Sequence, residues 1–209
     1  MKITEEVLIL ANGNFPKTQK ALRLLKSNYS LICCDGAANK CYSAGYEPDL
    51  IIGDIDSLDN ELKEKFNDRI IELKNQNSND LSKALNWANE NDVRSVIILG
   101  IDGGDDDHYL GNIFLILENS YDFKIKIITN NGEFDLINSG TFSSNLNQKI
   151  SIFCIDKNAK ISSQGLKYEL NNYSFSNLYG GTLNESLGDS FTINCDKKNV
   201  NILVYRKKI

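Results

Sequence analysis

Two carboxylates two residues apart close the run Pro48-Asp-Leu-Ile-Ile-Gly-Asp-Ile-Asp-Ser57. Asp54 and Asp56 follow a short apolar stretch, Leu50 to Ile52, that breaks at Gly53. In extended chain, residues two apart share a face, so both carboxylates point the same way. Hard oxygen ligands of this kind suit Mg²⁺, and Mg²⁺ suits phosphate chemistry. The competing reading is an Asp-rich turn with capping and solubilising duties, because Asp and Ser are common turn formers.

Other polar clusters stand at the ends of other apolar runs. Asn12-Gly-Asn14 follows the first run and Asp35-Gly-Ala-Ala38 the second. Asp54 and Asp56 follow the third, and Ser78-Asn-Asp80 opens a helical pattern after the fourth. Gly103-Gly104 through Asp107-His108 follows the fifth. One such cluster is ordinary. Five on one edge of one sheet make a continuous acidic, Gly-lined site. Open α/β sheets bind ligands beyond the carboxyl ends of their strands. There, glycines let phosphate approach the backbone, helix N-termini supply N–H donors, and carboxylates hold a neutralising metal.

The elements that must position these residues follow from periodicity. Strand-like runs cover Val7–Ala11, Leu31–Asp35, Leu50–Gly53, Ile70–Leu73, Val96–Gly100 and Ile125–Thr129. Helical spacing predicts helices over Thr18–Leu25, Asp80–Asn89 and His108–Leu117, the second with Asn79 as N-cap. This alternation predicts a mainly parallel sheet with flanking helices. After Asn130 no helical pattern remains. The β-prone segments there are Phe134–Ile137, Ile150–Ile155, Lys167–Leu170, Ser190–Ile193 and Val200–Tyr205, several set apart by Gly-containing turn pairs. The expected organisation is an α/β domain over residues 1–130 and a smaller all-β domain over residues 131–209.

Bulk properties narrow the function classes. A net charge of -5 and a pI near 5.0 argue against a nucleic-acid binder, which would show a basic face. No apolar run approaches the ~20 residues that span a membrane. Met1-Lys-Ile-Thr-Glu-Glu6 is acidic where a signal peptide needs a basic start. Five cysteines without a Cys-x-x-Cys pair read as reduced thiols of a cytoplasmic protein. A single histidine, His108, excludes a multi-His zinc site. There is no Gly-x-Ser-x-Gly elbow, no P-loop and no Gly-x-Gly-x-x-Gly fingerprint, so phosphates must be held some other way. The acidic run Asp102–Asp107 lacks the spacing of an EF-hand loop.

Taken in order, these strings resemble the thiamine pyrophosphokinase family. The resemblance rests on Cys34-Asp-Gly-Ala-Ala-Asn39, Pro48 through Leu58, Ser78-Asn-Asp-Leu-Ser-Lys-Ala-Leu85 and Gly103-Gly104 with Asp107-His108. It continues through Leu110-Gly-Asn112, Gly165-Leu-Lys-Tyr168 and Gly181-Thr-Leu-Asn-Glu185, and so covers nearly the whole chain. It implies an α/β domain followed by a β-sandwich, a homodimer with sites shared between chains, and pyrophosphoryl transfer from ATP to the hydroxyl of thiamine. By the same resemblance Asp54, Asp56 and Asp80 are catalytic acids that bind Mg²⁺. Asn12, Gly13, Asp35, Gly36, Gln76, Gly103, Gly104, Asp107 and His108 would line the nucleotide site, and Thr182 and Asn184 would contact thiamine.

The sequence departs from the family pattern in two places. Relatives often carry Arg after the Gly-Gly pair, and here that position is Asp105. Arg clamps phosphate in bidentate fashion and Asp does not, so Lys83 or Lys40 becomes the candidate substitute. The Trp that relatives place near the C-terminal end is missing, which leaves Tyr179 or Phe191 as candidate aromatics, while Trp87 reads as helix packing. Two alternatives share the same ATP half-site. A pyrophosphokinase for another small alcohol, such as a hydroxymethylpterin, is disfavoured by the matches at 165–168 and 182–185. A non-catalytic binding module has no need to crowd carboxylates around a polyanion.

Overall fold

Six parallel strands carry the first part of the chain in a computed structural model that describes residues 3–75 and 77–208. They are β1 (Glu6–Leu10), β2 (Ser30–Cys34), β3 (Leu50–Gly53), β4 (Ile70–Glu72), β5 (Ser95–Leu99) and β6 (Lys124–Ile128). Their order is β6-β5-β1-β2-β3-β4, every pairing parallel. The chain steps outward from β1 through β4, then returns to place β5 on the other side of β1. That reversal is the topological switch point, where open α/β sheets open a crevice at their carboxyl ends.

Five helices accompany these strands: α1 (Gln19–Leu24), α2 (Ala37–Ser43), α3 (Asn60–Lys65), α4 (Asp80–Glu90) and α5 (Asp106–Glu118). Thr18 caps α1 by accepting from the Ala21 N–H, and Asn79 caps α4 by accepting from the Ser82 N–H at 2.9 Å. Sequence periodicity anticipates α1, α4 and α5 and overlooks α2 and α3. The buried face of α2 is only Ala37, Ala38 and Cys41, and that of α3 is Leu62. Neither presents the bulky stripe that marks an amphipathic helix. Buried Leu8, Leu10, Cys33, Ile51, Leu58 and Phe66 join those small residues in one core cluster.

Apart from the end of α5 and a short 3₁₀ turn at Leu178–Gly181, the regular structure of the second compact unit is β. One unit runs up to Ile113 and takes in Tyr121–Asn130, and the other holds Phe114–Ser120 and the described residues from Asn131 on. The second unit contains an antiparallel sheet of β7 (Gly132–Ile137), β9 (Lys149–Cys154), β11 (Asn184–Glu185) and β13 (Ile202–Lys207), in the order β11-β9-β13-β7. Its other sheet is β10 (Ile161–Gln164), β12 (Ser190–Cys195) and β8 (Gly140–Ser143). Ile150, Ile152, Ile202 and Val204 of the first sheet and Phe142, Ile161, Phe191 and Ile193 of the second share one core, which makes a β-sandwich.

Lys167–Leu170, expected as a strand, is not one. Gly165 sits at φ +81° and turns the chain, and while the Lys167 N–H meets Glu185 O, two other donors of the segment go to side chains. The Tyr168 N–H donates to Asn184 Oδ1 at 3.0 Å and the Leu170 N–H to Ser163 Oγ at 2.8 Å. The alternation Lys-Tyr-Glu-Leu is a strand pattern in composition only. The β10 segment Ile-Ser-Ser-Gln escapes notice for the opposite reason, since its inward residues are Ile161 and the small, polar, buried Ser163.

Candidate active site

At the switch point the loops after β1 and β5 are tied by main-chain atoms. The Gly13 N–H donates to Gly100 O and the Asn14 N–H to Asp102 O, each at 2.8 Å. A Cβ on Gly13 would stand 2.5 Å from Gly100 O and 2.7 Å from Asp102 O, so only glycine allows this approach. Gly103, at φ +77°, is packed against the Asn14 amide, which a Cβ would meet at 1.8 Å. From α2, Lys40 Nζ donates to both Asn12 O and Gly13 O at 2.8 Å. The result is a Gly-lined floor under a crevice of about 690 Å³, within the range of small-molecule sites.

The crevice brings together most of the residues singled out from sequence. Asn12, Gly13, Asp54, Asp80, Gly103, Gly104, Asp107 and His108 all line it. Gly36 stands beside it, with Asn12 Nδ2 at 2.8 Å from the place a Cβ would take. Gln76 lies outside the described residues. Sequence reasoning passed over Ser57, Asn77, Tyr109 and Asn112, which also line the crevice. Asn112 carried a readable signal: it lies four residues after His108 on α5, and so on the same helix face. Its Oδ1 accepts from Asn79 Nδ2 at 2.8 Å, joining α5 to the start of α4.

The acids converge, but not by the route that extended chain implies. Ile55, between Asp54 and Asp56, adopts φ +65°. A β-branched residue in the left-handed region is a true outlier, and it turns the chain after β3 instead of extending it. Oxygens of Asp35, Asp54 and Asp56 nonetheless lie within 4.8 Å of one another. Asp35, also left-handed at φ +37°, is 2% exposed. One of its oxygens accepts the Ser57 N–H at 3.0 Å, and the other, Oδ1, is buried without a hydrogen-bond partner among the described residues. Burial pushes the Asp35 carboxyl above the usual carboxylate range, the Ser57 N–H offsets part of this, and Asp80 and Asp56 add to it. The Ser57 hydroxyl, bonded to Asp56 Oδ1 at 2.9 Å, holds Asp56 below its ordinary value. An orphaned buried carboxylate oxygen beside two more carboxylates is a donor set that fits a hard divalent cation.

Asp80 enters from the first turn of α4 and stands apart from that triad. Its Oδ1 accepts from Lys83 Nζ at 2.9 Å, and the same ammonium lies 3.9 Å from Asp54 Oδ2. Lys83 is 5% exposed. Of the two candidate cations, Lys83 thus sits among the acids and Lys40 among loop carbonyls.

Thr182 and Asn184 belong to the second unit. Thr182 Oγ1 donates to Tyr179 O at 2.8 Å. Asn184 is 6% exposed, and its amide accepts from the N–H groups of Tyr168 and Glu185 and donates to Tyr168 O. Phe191 is 1% exposed and stacked on Phe142 at 5.1 Å, so it belongs to the core and offers no face to a ligand. Tyr179 is 76% exposed.

Fold and crevice define an α/β protein with an acidic, Gly-lined ligand site at its switch point, followed by a β-sandwich. The model of the thiamin pyrophosphokinase catalytic domain matches residues 21–129, and that of the thiamin pyrophosphokinase substrate-binding domain matches residues 134–205. The chain belongs to the thiamin pyrophosphokinase family. It is 30% identical over 107 residues to thiamine pyrophosphokinase 1 of Oryza sativa subsp. japonica, covering 39% of this chain and 40% of that one. It is 27% identical over 156 residues to thiamin pyrophosphokinase 1 of Caenorhabditis elegans, covering 66% and 63%. The chain thus spans less than two thirds of the length of each of these curated relatives. The fold is that of thiamine pyrophosphokinase from Bacillus subtilis, with a TM-score of 0.78 at 22% identity over 97% and 99% of the two chains. Yeast thiamin pyrophosphokinase gives a TM-score of 0.76 at 20% identity over 97% and 86%.

Proposed function

We propose that the protein transfers pyrophosphate from ATP to the hydroxyl of thiamine, giving thiamine diphosphate and AMP. One observation carries this reading. A carboxylate triad with an orphaned buried oxygen borders a Gly-lined crevice in a chain matched, part by part, by both domains of this family. Asn12, Gly13, Gly36, Gly103, Gly104, Asp107 and His108, with Gln76, serve the nucleotide, and the main-chain floor lets its phosphates approach the backbone. Asp54, Asp56 and Asp80, with Asp35 beside them, would hold Mg²⁺, which when bound would neutralise polyphosphate charge.

The reaction forms a bond between the thiamine hydroxyl oxygen and the β-phosphorus. The bond from that phosphorus to the oxygen bridging the α-phosphorus breaks, and this oxygen leaves with the electron pair as part of AMP. The hydroxyl proton goes to a carboxylate of the Asp54–Asp56 pair. Asp56 is ionised at neutral pH, with the Ser57 hydroxyl fixing one of its oxygens and the other left to accept the proton. Thr182 and the Asn184 segment bind thiamine from the β domain, Asn184 by holding Tyr168 in position. Residues 1–130 form the nucleotide domain and 131–209 the acceptor domain, and the active form is a homodimer with sites shared between chains. Among the described residues no helix is long and apolar enough to cross a membrane, and the five cysteines are free, which supports a cytoplasmic setting. The test is direct. Protein incubated with ATP, Mg²⁺ and thiamine releases AMP and thiamine diphosphate in equal amounts, and AMP formation independent of thiamine would refute the acceptor assignment.

A further inference from the structure

Lys83 is a buried cation set between the carboxylates of Asp54 and Asp80. Its ammonium contacts Asp80 at 2.9 Å and lies 3.9 Å from Asp54, with a side chain only 4% exposed. A lysine this deep keeps its charge only when paired. Helix α4 fixes the pairing, since Lys83 follows Asp80 by three residues and Asn79 caps the same turn. The two carboxylates that Lys83 bridges are two of the three expected to hold a divalent ion.

We infer that Lys83 is a positioning residue that acts as a built-in counter-ion: it occupies the seat between Asp54 and Asp80, makes the acids poor ligands for a metal alone, and releases them when polyphosphate arrives. The inference rests on the metal role proposed above for these acids. Asp54 and Asp80 line the crevice, and oxygens of Asp56 and the 2% exposed Asp35 lie within 4.8 Å of Asp54, so like charges gather there and repel. A resident ammonium offsets that repulsion and competes with a divalent cation for the same oxygens. A polyphosphate in the crevice, which Lys83 also lines, offers the ammonium a second anion. Metal and nucleotide then bind together more favourably than either alone, which is a coupling between two ligands through one lysine.

This makes an unusual demand on a residue that also supports structure. Removing a merely structural partner loosens the acids and weakens metal binding, whereas removing a competing charge strengthens it. The test is titration of the whole protein with Mn²⁺ alone, free ion being read by electron paramagnetic resonance, without ATP or thiamine. Lys83→Met is expected to bind Mn²⁺ about tenfold more tightly than wild type, within the reach of one unit charge at this separation. Lys83→Arg, which keeps the charge, should restore the weaker wild-type binding. The KM for ATP should rise in Lys83→Met. Should Lys83→Met lose its native circular dichroism, Lys83→Gln takes its place with the same expectation. Unchanged or weaker Mn²⁺ binding by the folded neutral variant overturns the inference. Failure of the thiamine assay leaves the Mn²⁺ result standing, because neither substrate is present in it.

Discussion

Ser57 donates its backbone N–H to Asp35 Oδ2 at 3.0 Å, and this one bond ties the turn after β3 to the end of β2. That carboxylate's other oxygen is buried without a partner among the described residues. The group therefore sits in the fold at a cost. Its folded-state pKa is raised above the unfolded value, chiefly by burial. Stability from such a group is full below the unfolded pKa of about 3.9 and is lost as pH rises through the higher folded value. Asp35→Asn, which retains an acceptor for Ser57, should melt higher than wild type at neutral pH in the presence of a chelator. The gap should narrow as pH falls toward the ordinary carboxylate range. Thermal melts at several pH values check this, and a lower neutral-pH melting point for the variant contradicts it.

Asp54→Asn and Asp56→Asn should each abolish most turnover while leaving the fold intact. A hundredfold loss corresponds to about 2.7 kcal/mol of transition-state stabilisation. Steady-state rates at saturating Mg²⁺, alongside circular dichroism, decide the matter. Near wild-type rates from both variants would remove these acids from the chemistry.

Lys40 latches the loop after β1 through the carbonyls of Asn12 and Gly13. Lys40→Ala should raise the KM for ATP severalfold and change kcat little, because the loop floor loosens while the acids stay in place. Asp105, on the exposed rim of the crevice, should tolerate Ala with turnover close to wild type. An inactive Asp105→Ala beside a silent Lys40→Ala would give Asp105 a direct role.

Asn184 should matter for stability before it matters for chemistry. Asn184→Ala removes three hydrogen bonds at a buried position and leaves the Tyr168 N–H and C=O without that partner. A loss of about 2–4 kcal/mol follows from several bonds at roughly 1 kcal/mol each plus stranded groups. Denaturant unfolding measures it, and a change below the error of that method refutes the structural role.

A homodimer with shared sites makes a prediction that no single variant does. Inactive Asp56→Asn chains mixed with inactive Thr182→Val chains should regain activity, since half of the sites in a mixed dimer pair two intact halves. A monomeric mass by light scattering, at a concentration where the wild type is fully active, contradicts the arrangement.

The parallel strands and the longer helices are legible in the sequence because their apolar periodicity is strong, and Asn79 marks the start of α4 as its N-cap. What the sequence hid has physical causes. Helix α2 buries alanines and a cysteine, and β10 buries a serine, so neither shows the bulk that pattern reading depends on. The segment 167–170 imitates a strand, yet side chains of Asn184 and Ser163 take donors that a ladder would have used. Asp54 and Asp56 were legible as a pair. The left-handed turn at Ile55 was not, because nothing in a β-branched side chain advertises a positive φ. The seat of Lys83 between Asp80 and Asp54 was half legible: the three-residue spacing gives the first contact, and only the fold gives the second.

The bonds from Gly13 to Gly100 and from Asn14 to Asp102 involve no side chain. A floor built this way is indifferent to most of the sequence above it. Rim residues such as Asp105 are then free to drift in type and charge without moving the surface that meets the ligand. The tolerance is bounded at Gly13 itself, where a single added methyl group would wedge the two loops apart. Saturation mutagenesis of the two loops would read this as a sharp contrast, a broad spectrum of accepted residues at 105 and a near-empty one at 13.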